Sequence, residues 1–395
     1  MQHSAAARTM AQARRILKRM DMPGMDWESV REGGREGIRR VLEDRMYALI
    51  GNRVAELATE GVSDRRNGSY RRQLLTSLGA IELHVPRGRS CSAAEVLTRY
   101  ARREASVDRL ILACFVLGLS TRKVGEALLA ILGERVSPAT VSRVARTLEE
   151  AVAAFHRRPL EDRYRVLVLD GVVLSRKTGA GALRRPVLVA LGITAQGRKE
   201  ILDFSLATGE SERAWEQFLT DLYRRGLRGQ GLELIVNDGG AGLLAALPVV
   251  FPKLPVQRCW AHKTRNILDR IRRHDREAAK RDLHRISHAA DRTEARRAAR
   301  RFADRWEERY PKAVHCLRQD LDSLLEFLRF PNDQWRTAAR TTNAIERRFR
   351  EVRRRTRPMG VFSDRTSMER ILSAVFTYEN QKAGTSTPFL LTQYS

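Results

Sequence analysis

Apolar residues along the chain follow three successive patterns. Residues 1–60 carry a loosely amphipathic helical pattern interrupted by glycine and charge. A short β signal follows, Tyr70 to Thr76, a Ser77–Gly79 turn, then Ala80 to Val85, closed by Pro86. Residues 107–156 hold three helix signals. VDRLILACFVLG is ended by Gly118, STRKVGEALLAIL starts at Ser120 and stops at Gly133, and the third takes Ser137 as N-cap with Pro138 at its first position. From Tyr164 the pattern turns to strands. RVLVLDGVVL, RRPVLVALGIT and KEILDFSLA are apolar, β-branched runs separated by Gly- and charge-rich turns. A helix (ERAWEQFLTDLYRRG), a strand (LELIVND), a helix (AGLLAALPVVF) and a short strand (PVQRCW) complete the block.

Three adjacent strands, then helix, strand, helix, strand, predict an α/β domain with a mixed sheet and helices on its faces. Residues 262–330 are helix-rich, charged and free of strand signals, and they separate this sheet from one more helix at 343–357. They read as a helical insertion. The expected organisation is a basic helical and hairpin region (1–106), a three-helix region (107–160), the α/β domain (161–262 with 336–384), the insertion (263–335) and a tail (385–395).

Charge changes the picture. Lys and Arg number 73 against 47 acidic residues, a net of +26, and Arg far outnumbers Lys. A GC-rich genome accounts for the Arg-to-Lys ratio but not for the net charge. Guanidinium forks bind phosphate oxygens in pairs, so the expected partner is nucleic acid, bound through counterion release. Six arginines crowd the hairpin: Arg65, Arg66, Arg71, Arg72, Arg87 and Arg89. An aromatic content of 6% argues against a sheet that stacks RNA bases. The four cysteines are widely spaced, which suits a reducing compartment. No run of 18 apolar residues and no signal-peptide core occurs, so a cytoplasmic, nucleoid-associated protein without membrane contact is expected.

Candidate chemistry gathers on three carboxylates. Asp170 ends the run VLVL and precedes Gly171; Asp238 follows LELIV–Asn and precedes Gly239 and Gly240. Both are expected at C-terminal strand ends, where open α/β sheets bind ligands and the backbone turns outward. Either alone is as readily a turn aspartate; the pair, on strands expected to be neighbours, is harder to dismiss. Glu346 borders the buried stripe Ile345, Phe349, Val352 of RTTNAIERRFREVRRRTR. Asn343 as N-cap with Glu346 three residues on is also a helix-start signature, which does not explain eight arginines between Arg340 and Arg357. Three carboxylates can hold two Mg²⁺ or Mn²⁺ ions for in-line phosphoryl displacement.

These stretches carry a resemblance. RNGSYRRQLLTSLGAIELHVPR, GLSTRKVGEALLAILGERVSPATVSR, VLVLDGVVL, VNDGGAGLLAALPVVFPKLPVQRCWAHKTRNIL and FPNDQWRTAARTTNAIERRFREVRRRTR resemble the Mutator-type bacterial insertion-sequence transposases, from about residue 45 onward. The resemblance implies a ribonuclease-H-like catalytic domain with a helical insertion, a DDE triad on Asp170, Asp238 and Glu346, and a Cys-x-x-His element on Cys259 and His262. It further implies cleavage by water and strand transfer by a 3′-hydroxyl at terminal inverted repeats, often through a circular intermediate. After Arg89 the chain has SCSAAEV where relatives tend to have a Gly-aromatic pair.

The expected partners are double-stranded DNA, at inverted-repeat ends and target, and a second copy of the chain in a homodimer. In a helix-turn-helix, the third helix would offer Thr140, Arg143 and Arg146 to the major groove while Val141, Val144 and Leu148 pack inward; a plain helical bundle has the same pattern. Arg347, Arg350 and Arg354 are candidate phosphate contacts. Trp335 either stacks on an unpaired base or fills a core. Cys259 and His262 with His284 and His288 have spacings a zinc site could use, but the gap between the pairs is charged helix, so support of the active-site floor by Cys259 and His262 is expected and zinc is not. The alternatives to a transposase are a catalytically silent DNA-binding regulator and a simple nuclease.

Overall fold

Asp26 opens the first helix by accepting hydrogen bonds from the amides of Glu28 and Ser29. The computed structural model describes residues 26–384 apart from 92, 94–101, 117–118, 179–180, 357–361 and 363–364. The expected helix end at Gly118, Arg357, most of SCSAAEV and the tail lie outside the described residues. The chain divides into two units, Met1–Arg146 and Thr147–Ser395, each taken by itself.

In the first unit α1 (Trp27–Thr59) runs without a break through its glycines. Gly34 has a use there, since a Cβ on it would meet Leu78 Cδ1 at 2.8 Å. The hairpin β1 (Arg66–Thr76) and β2 (Gly79–Gly88) packs on α1 through Met46, Ile50, Leu74, Ile81, Leu83 and Val85. The hairpin is longer than the apolar pattern predicts. Pro86 does not close it but sits opposite Ser69, beside a register irregularity where a ladder N–H is dispensable. Then come α2 (Ala105–Val116), α3 (Thr121–Leu132) and α4 (Pro138–Arg146). Ser120 caps α3 by accepting from the Lys123 amide, and Gly133 ends it in the left-handed region. Ser137 caps α4 as the sequence indicated.

The second unit begins with α5 (Leu148–Arg157), so the helix expected as one piece from Ser137 is two. Its sheet holds β3 (Tyr164–Thr178), β4 (Gly181–Thr194), β5 (Lys199–Leu206), β6 (Leu234–Asn237) and β7 (Val256–Arg258), in the order β5-β4-β3-β6-β7. β3, β4 and β5 are antiparallel neighbours, while β6 and β7 add in parallel. Between strands lie α6 (Glu212–Arg224) and α7 (Ala241–Val250). Leu167, Leu169, Leu188, Ile235, Trp215, Leu219, Leu243 and Leu247 form the core between these helices and one sheet face.

After β7 come α8 (Trp260–Leu268), α9 (Arg276–Ser287), α10 (Arg292–Trp306), α11 (Pro311–Gln319), α12 (Leu321–Leu324) and a 3-10 turn (Glu326–Arg329), with no strand among the described residues of this stretch. The stretch returns to the sheet at Gln257. The Gln257 side chain donates to Leu324 O and accepts from the Phe327 amide, and Trp260 Nε1 donates to the same Leu324 carbonyl. Then come α13 (Asp333–Ala339), against the 3-10 turn, and α14 (Asn343–Thr356) and α15 (Arg365–Lys382), against the sheet. Ile345, Phe349 and Val352 are fully buried, as their spacing predicts. Asn380 on α15 bonds both backbone groups of Ile201, covering the edge strand β5.

Candidate active site

Asp170 lies in the middle of β3, not at its end. β4 keeps pairing with β3 as far as Thr178, so the backbone does not turn outward after Asp170 as the following glycine suggested. The parallel part of the sheet does stop there: Leu169 pairs with Asn237, the last residue of β6. Asp238 therefore follows β6 at the level of Asp170. Gly239 takes φ +84°, and a Cβ on it would lie 0.8 Å from Arg258 Nη1. Only glycine satisfies both demands. Asp238 Oδ1 then accepts the Gly240 amide at 3.0 Å.

Glu346 reaches this level from α14. Its carboxylate lies 3.7 Å from His262 Nε2. The helix begins at Asn343 itself, so the N-cap signature the sequence offered does not describe Glu346's environment. Cys259 follows β7, donating its amide to Asn237 O at 2.7 Å, and His262 stands in the first turn of α8. Thr342, fully buried just before α14, donates its amide to Cys259 Sγ at 3.3 Å and lies 3.4 Å from His262 Nδ1. Helix, strand end and α8 are thus tied by Cys259, His262 and Thr342.

The electrostatics show crowded acids. Asp170 is only 3% exposed, and burial followed by the charge of Asp238 pushes its pKa up to about 7, with His262 and Thr342 opposing and Glu346 adding a smaller push. His262 is raised to about 9 by its hydrogen bond to Cys259, against burial, with further pull from Cys259, Asp170 and Asp238. Burial resists ionisation of Cys259, but hydrogen bonds with His262 and Thr342 outweigh it and hold the thiol below its ordinary range. A positive imidazole at a helix N-terminus opposes the helix dipole, so the anions around it decide its state.

Asp170, His262 and Glu346 line a cleft of about 420 Å³ with Arg265, Arg350 and Arg353. On the other flank of α14 a cleft of about 570 Å³ holds Trp335, Asn343, Lys199 and Arg347. Asp170 and Glu346 lie on the smaller cleft and not on the larger. Trp335 is half-buried, stacked on Phe330 at 5.6 Å with the Arg165 guanidinium 4.5 Å from its ring centre. Arg354 is exposed and paired with Glu351. The arginine cluster has a second use, since Arg348 holds Glu379 of α15 and buried Arg355 bonds Glu351. Arg143 and Arg146 are exposed on α4 in the first unit, with Val141 and Val144 buried beneath. His284 and His288 stack on each other, and His288 bonds Arg340 rather than joining Cys259. Among the described residues, no three His, Cys, Asp or Glu groups stand close enough to enclose an ion as arranged.

Residues 5–383 match the family described as Transposase, Mutator family. The chain belongs to the Mutator family of transposases. A Rhizobium meliloti transposase for insertion sequence element ISRM5 is 33% identical over 355 residues, covering 88% of each chain. A Lactococcus lactis transposase for IS905 is 31% identical, covering 87% of this chain and 86% of that one. A Mycobacterium tuberculosis transposase for IS1081 is 32% identical, covering 87% and 85%. Among solved structures, a simian T-cell lymphotropic virus intasome in complex with PP2A regulatory subunit B56 gamma matches at TM-score 0.18 and 10% identity, covering 52% of this chain and 63% of that one. No helix among the described residues of this Mutator-family chain is long and apolar enough to cross a membrane.

Sequence reasoning missed three residues that lie beside these carboxylates. Thr342 carries no motif signal beyond its place before the helix. Arg258 packs on Gly239 and pairs with Asp320 at 3.6 Å. Glu210 lies over Gly171, and the glycine itself was the signal.

Proposed function

We propose that this chain is a DNA transposase whose Asp170, Asp238 and Glu346 carboxylates form a phosphoryl-transfer site acting at the ends of an insertion sequence. The observation that carries the reading is the placement of Asp170 and Glu346 on one arginine-lined cleft, with Asp238, just after β6, near enough for its charge to act on Asp170, within a chain of the Mutator family. The strand order, with three antiparallel strands flanked by two parallel ones, supports a ribonuclease-H-like catalytic domain. The relatives' names support DNA as the substrate.

The donor set fits a hard divalent cation, because it is entirely carboxylate oxygen and the charges of Asp238 and Glu346 act against ionisation of buried Asp170. A bound pair of Mg²⁺ or Mn²⁺ ions would supply positive charge for the attacking and leaving oxygens of a phosphoryl transfer. Asp170, Asp238 and Glu346 would hold the ions. His262, fixed by Cys259 and Thr342, orients Glu346 and balances the negative charge. Arg265, Arg350 and Arg353 bind the phosphates beside the reacting bond, and Arg347 with Trp335 extends the DNA path along the other flank of α14. The exposed arginines of α4 recognise the ends in a helix-turn-helix arrangement, and the chain acts as a homo-oligomer.

The test is a strand-transfer assay with duplexes carrying the element's own terminal repeats and Mg²⁺ or Mn²⁺. Cleavage with joining of 3′ ends to target is the expected result. Specific binding without either step would instead make the chain a regulator, and cutting without joining would make it a nuclease.

A further inference from the structure

Glu210 sits in the short connection between β5 and α6, and its backbone is held from both sides. Ser211 caps α6 by accepting the Ala214 amide at 3.3 Å. Gly242, in the first turn of α7, passes so close that a Cβ on it would lie 2.2 Å from Glu210 O and 2.7 Å from the Glu212 amide. The carboxylate is thereby delivered onto β3. A Cβ on Gly171 would meet Glu210 Cδ at 2.5 Å and its two oxygens at 2.6 and 2.8 Å. The carboxylate also lies 3.7 Å from the Cβ position of Gly240, which is 3.6 and 3.9 Å from the two Asp238 oxygens. Glu210 and Asp238 thus both lie within 4 Å of one point.

Of this pair, Asp238 accepts the Gly240 amide, whereas Glu210 has no such bond among the described residues. Among the described residues no side chain hydrogen-bonds or ion-pairs with Glu210, and burial followed by the charge of Asp238 raises its pKa. A second observation is independent of the acids. Asn237 is completely buried, and neither its amide oxygen nor its nitrogen has a hydrogen-bond partner. It pairs with Leu169 in the ladder, so it shares the face of Leu169 and Gly171, which is the face Glu210 covers. Buried amides are seldom left with both ends unmet unless a ligand or its water completes them.

We propose that Glu210 is a fourth carboxylate of the metal site, holding a divalent cation jointly with Asp238 on the Gly171 face of β3. Asp170, one residue earlier in the strand, faces the opposite side with Glu346 and His262. Asp238 is then shared between the two sides, and the Asn237 amide meets the hydration shell of the cation beside Glu210. The inference rests on the metal-dependent reading of the site given above.

The test is Mn²⁺ binding to the full chain, by titration calorimetry and electron paramagnetic resonance, alongside the metal-free melting temperature. Glu210→Gln is expected to weaken Mn²⁺ binding by about 10-fold or more. Its metal-free melting temperature should equal or exceed that of wild type, because an uncompensated charge has been removed. Gly171→Ala, which displaces the carboxylate without deleting it, should weaken Mn²⁺ in the same way. A purely structural Glu210 gives the reverse, a lower melting temperature with Mn²⁺ affinity unchanged. Unchanged affinity in Glu210→Gln while Glu346→Gln loses it would overturn the role of Glu210 and leave the three-carboxylate site standing. Failure of wild type itself to bind Mn²⁺ would overturn both. If Glu210→Gln does not fold, Gly171→Ala carries the test, with loss of Mn²⁺ supporting the proposal and wild-type affinity refuting it.

Discussion

His262 Nε2 lies 3.7 Å from a Glu346 carboxylate oxygen, joining the first turn of α8 to the helix that carries the third acid. Some 80 residues of mostly helical chain separate the two, so this contact depends on the return of that stretch to Gln257. His262→Ala should lower cleavage about 10- to 100-fold, the usual cost of losing a group that orients a ligand. His262→Gln, which keeps a hydrogen-bonding end, should recover part of it. Full activity in His262→Ala, measured on duplex ends, would remove His262 from the site.

Asp170→Asn, Asp238→Asn and Glu346→Gln should each abolish both cleavage and strand transfer, while binding to end duplexes stays within about 2-fold, since binding rests on arginines elsewhere. Gel-shift and strand-transfer assays on the same preparations separate the two effects. Near-normal transfer by one variant would exclude that residue.

The pKa of Asp170 makes stability depend on pH. Its folded value of about 7 stands above an unfolded value near 3.8, so the folded state holds an extra proton between them. Metal-free wild type therefore loses stability as pH rises from about 4 to about 7, and retains the penalty above that. Asp170→Asn lacks this slope. Relative to wild type, its melting temperature should climb between pH 5 and pH 8 on the order of a few degrees. Parallel melting curves across that range would show that Asp170 ionises without strain.

Arg143→Ala or Arg146→Ala should weaken binding to the element's ends more than to random DNA. A lost base-edge contact costs roughly 1–3 kcal/mol, whereas a lost phosphate contact mainly reduces the salt slope. Binding isotherms at several salt concentrations decide it, and equal weakening on both DNAs would confine these arginines to backbone contacts.

Trp335→Ala distinguishes a stacking platform from a packing residue. The ring already contacts Phe330 and Arg165, so some loss of stability is expected. If the ring also stacks on an unpaired base near the cleavage point, cleavage should fall by a factor corresponding to roughly 1–3 kcal/mol with fold and binding retained. Early melting with normal cleavage below the melting temperature would leave Trp335 a packing residue.

Local pattern made much of the molecule readable from its residues. β-branched apolar runs announced the strands in order, Ser120, Gly133 and Ser137 marked helix ends by capping chemistry, and Ile345, Phe349 and Val352 showed the buried stripe of α14. These signals are legible because each arises within a few residues of backbone. What surrounds the acids was not legible in the same way. Gly171 looked like a turn residue, yet β4 holds the strand straight and the glycine makes room for Glu210, almost forty residues away. The N-cap reading of Glu346 was locally sound and lost to His262, which only the folded chain brings near. The split of the arginines between Glu379 and the clefts was likewise settled by non-local partners. The sequence by itself determined which residues carry charge and which elements form. Only the tertiary structure decided which charges meet, because burial and proximity, not residue type, set whether a carboxylate is a turn, a cap or part of a site.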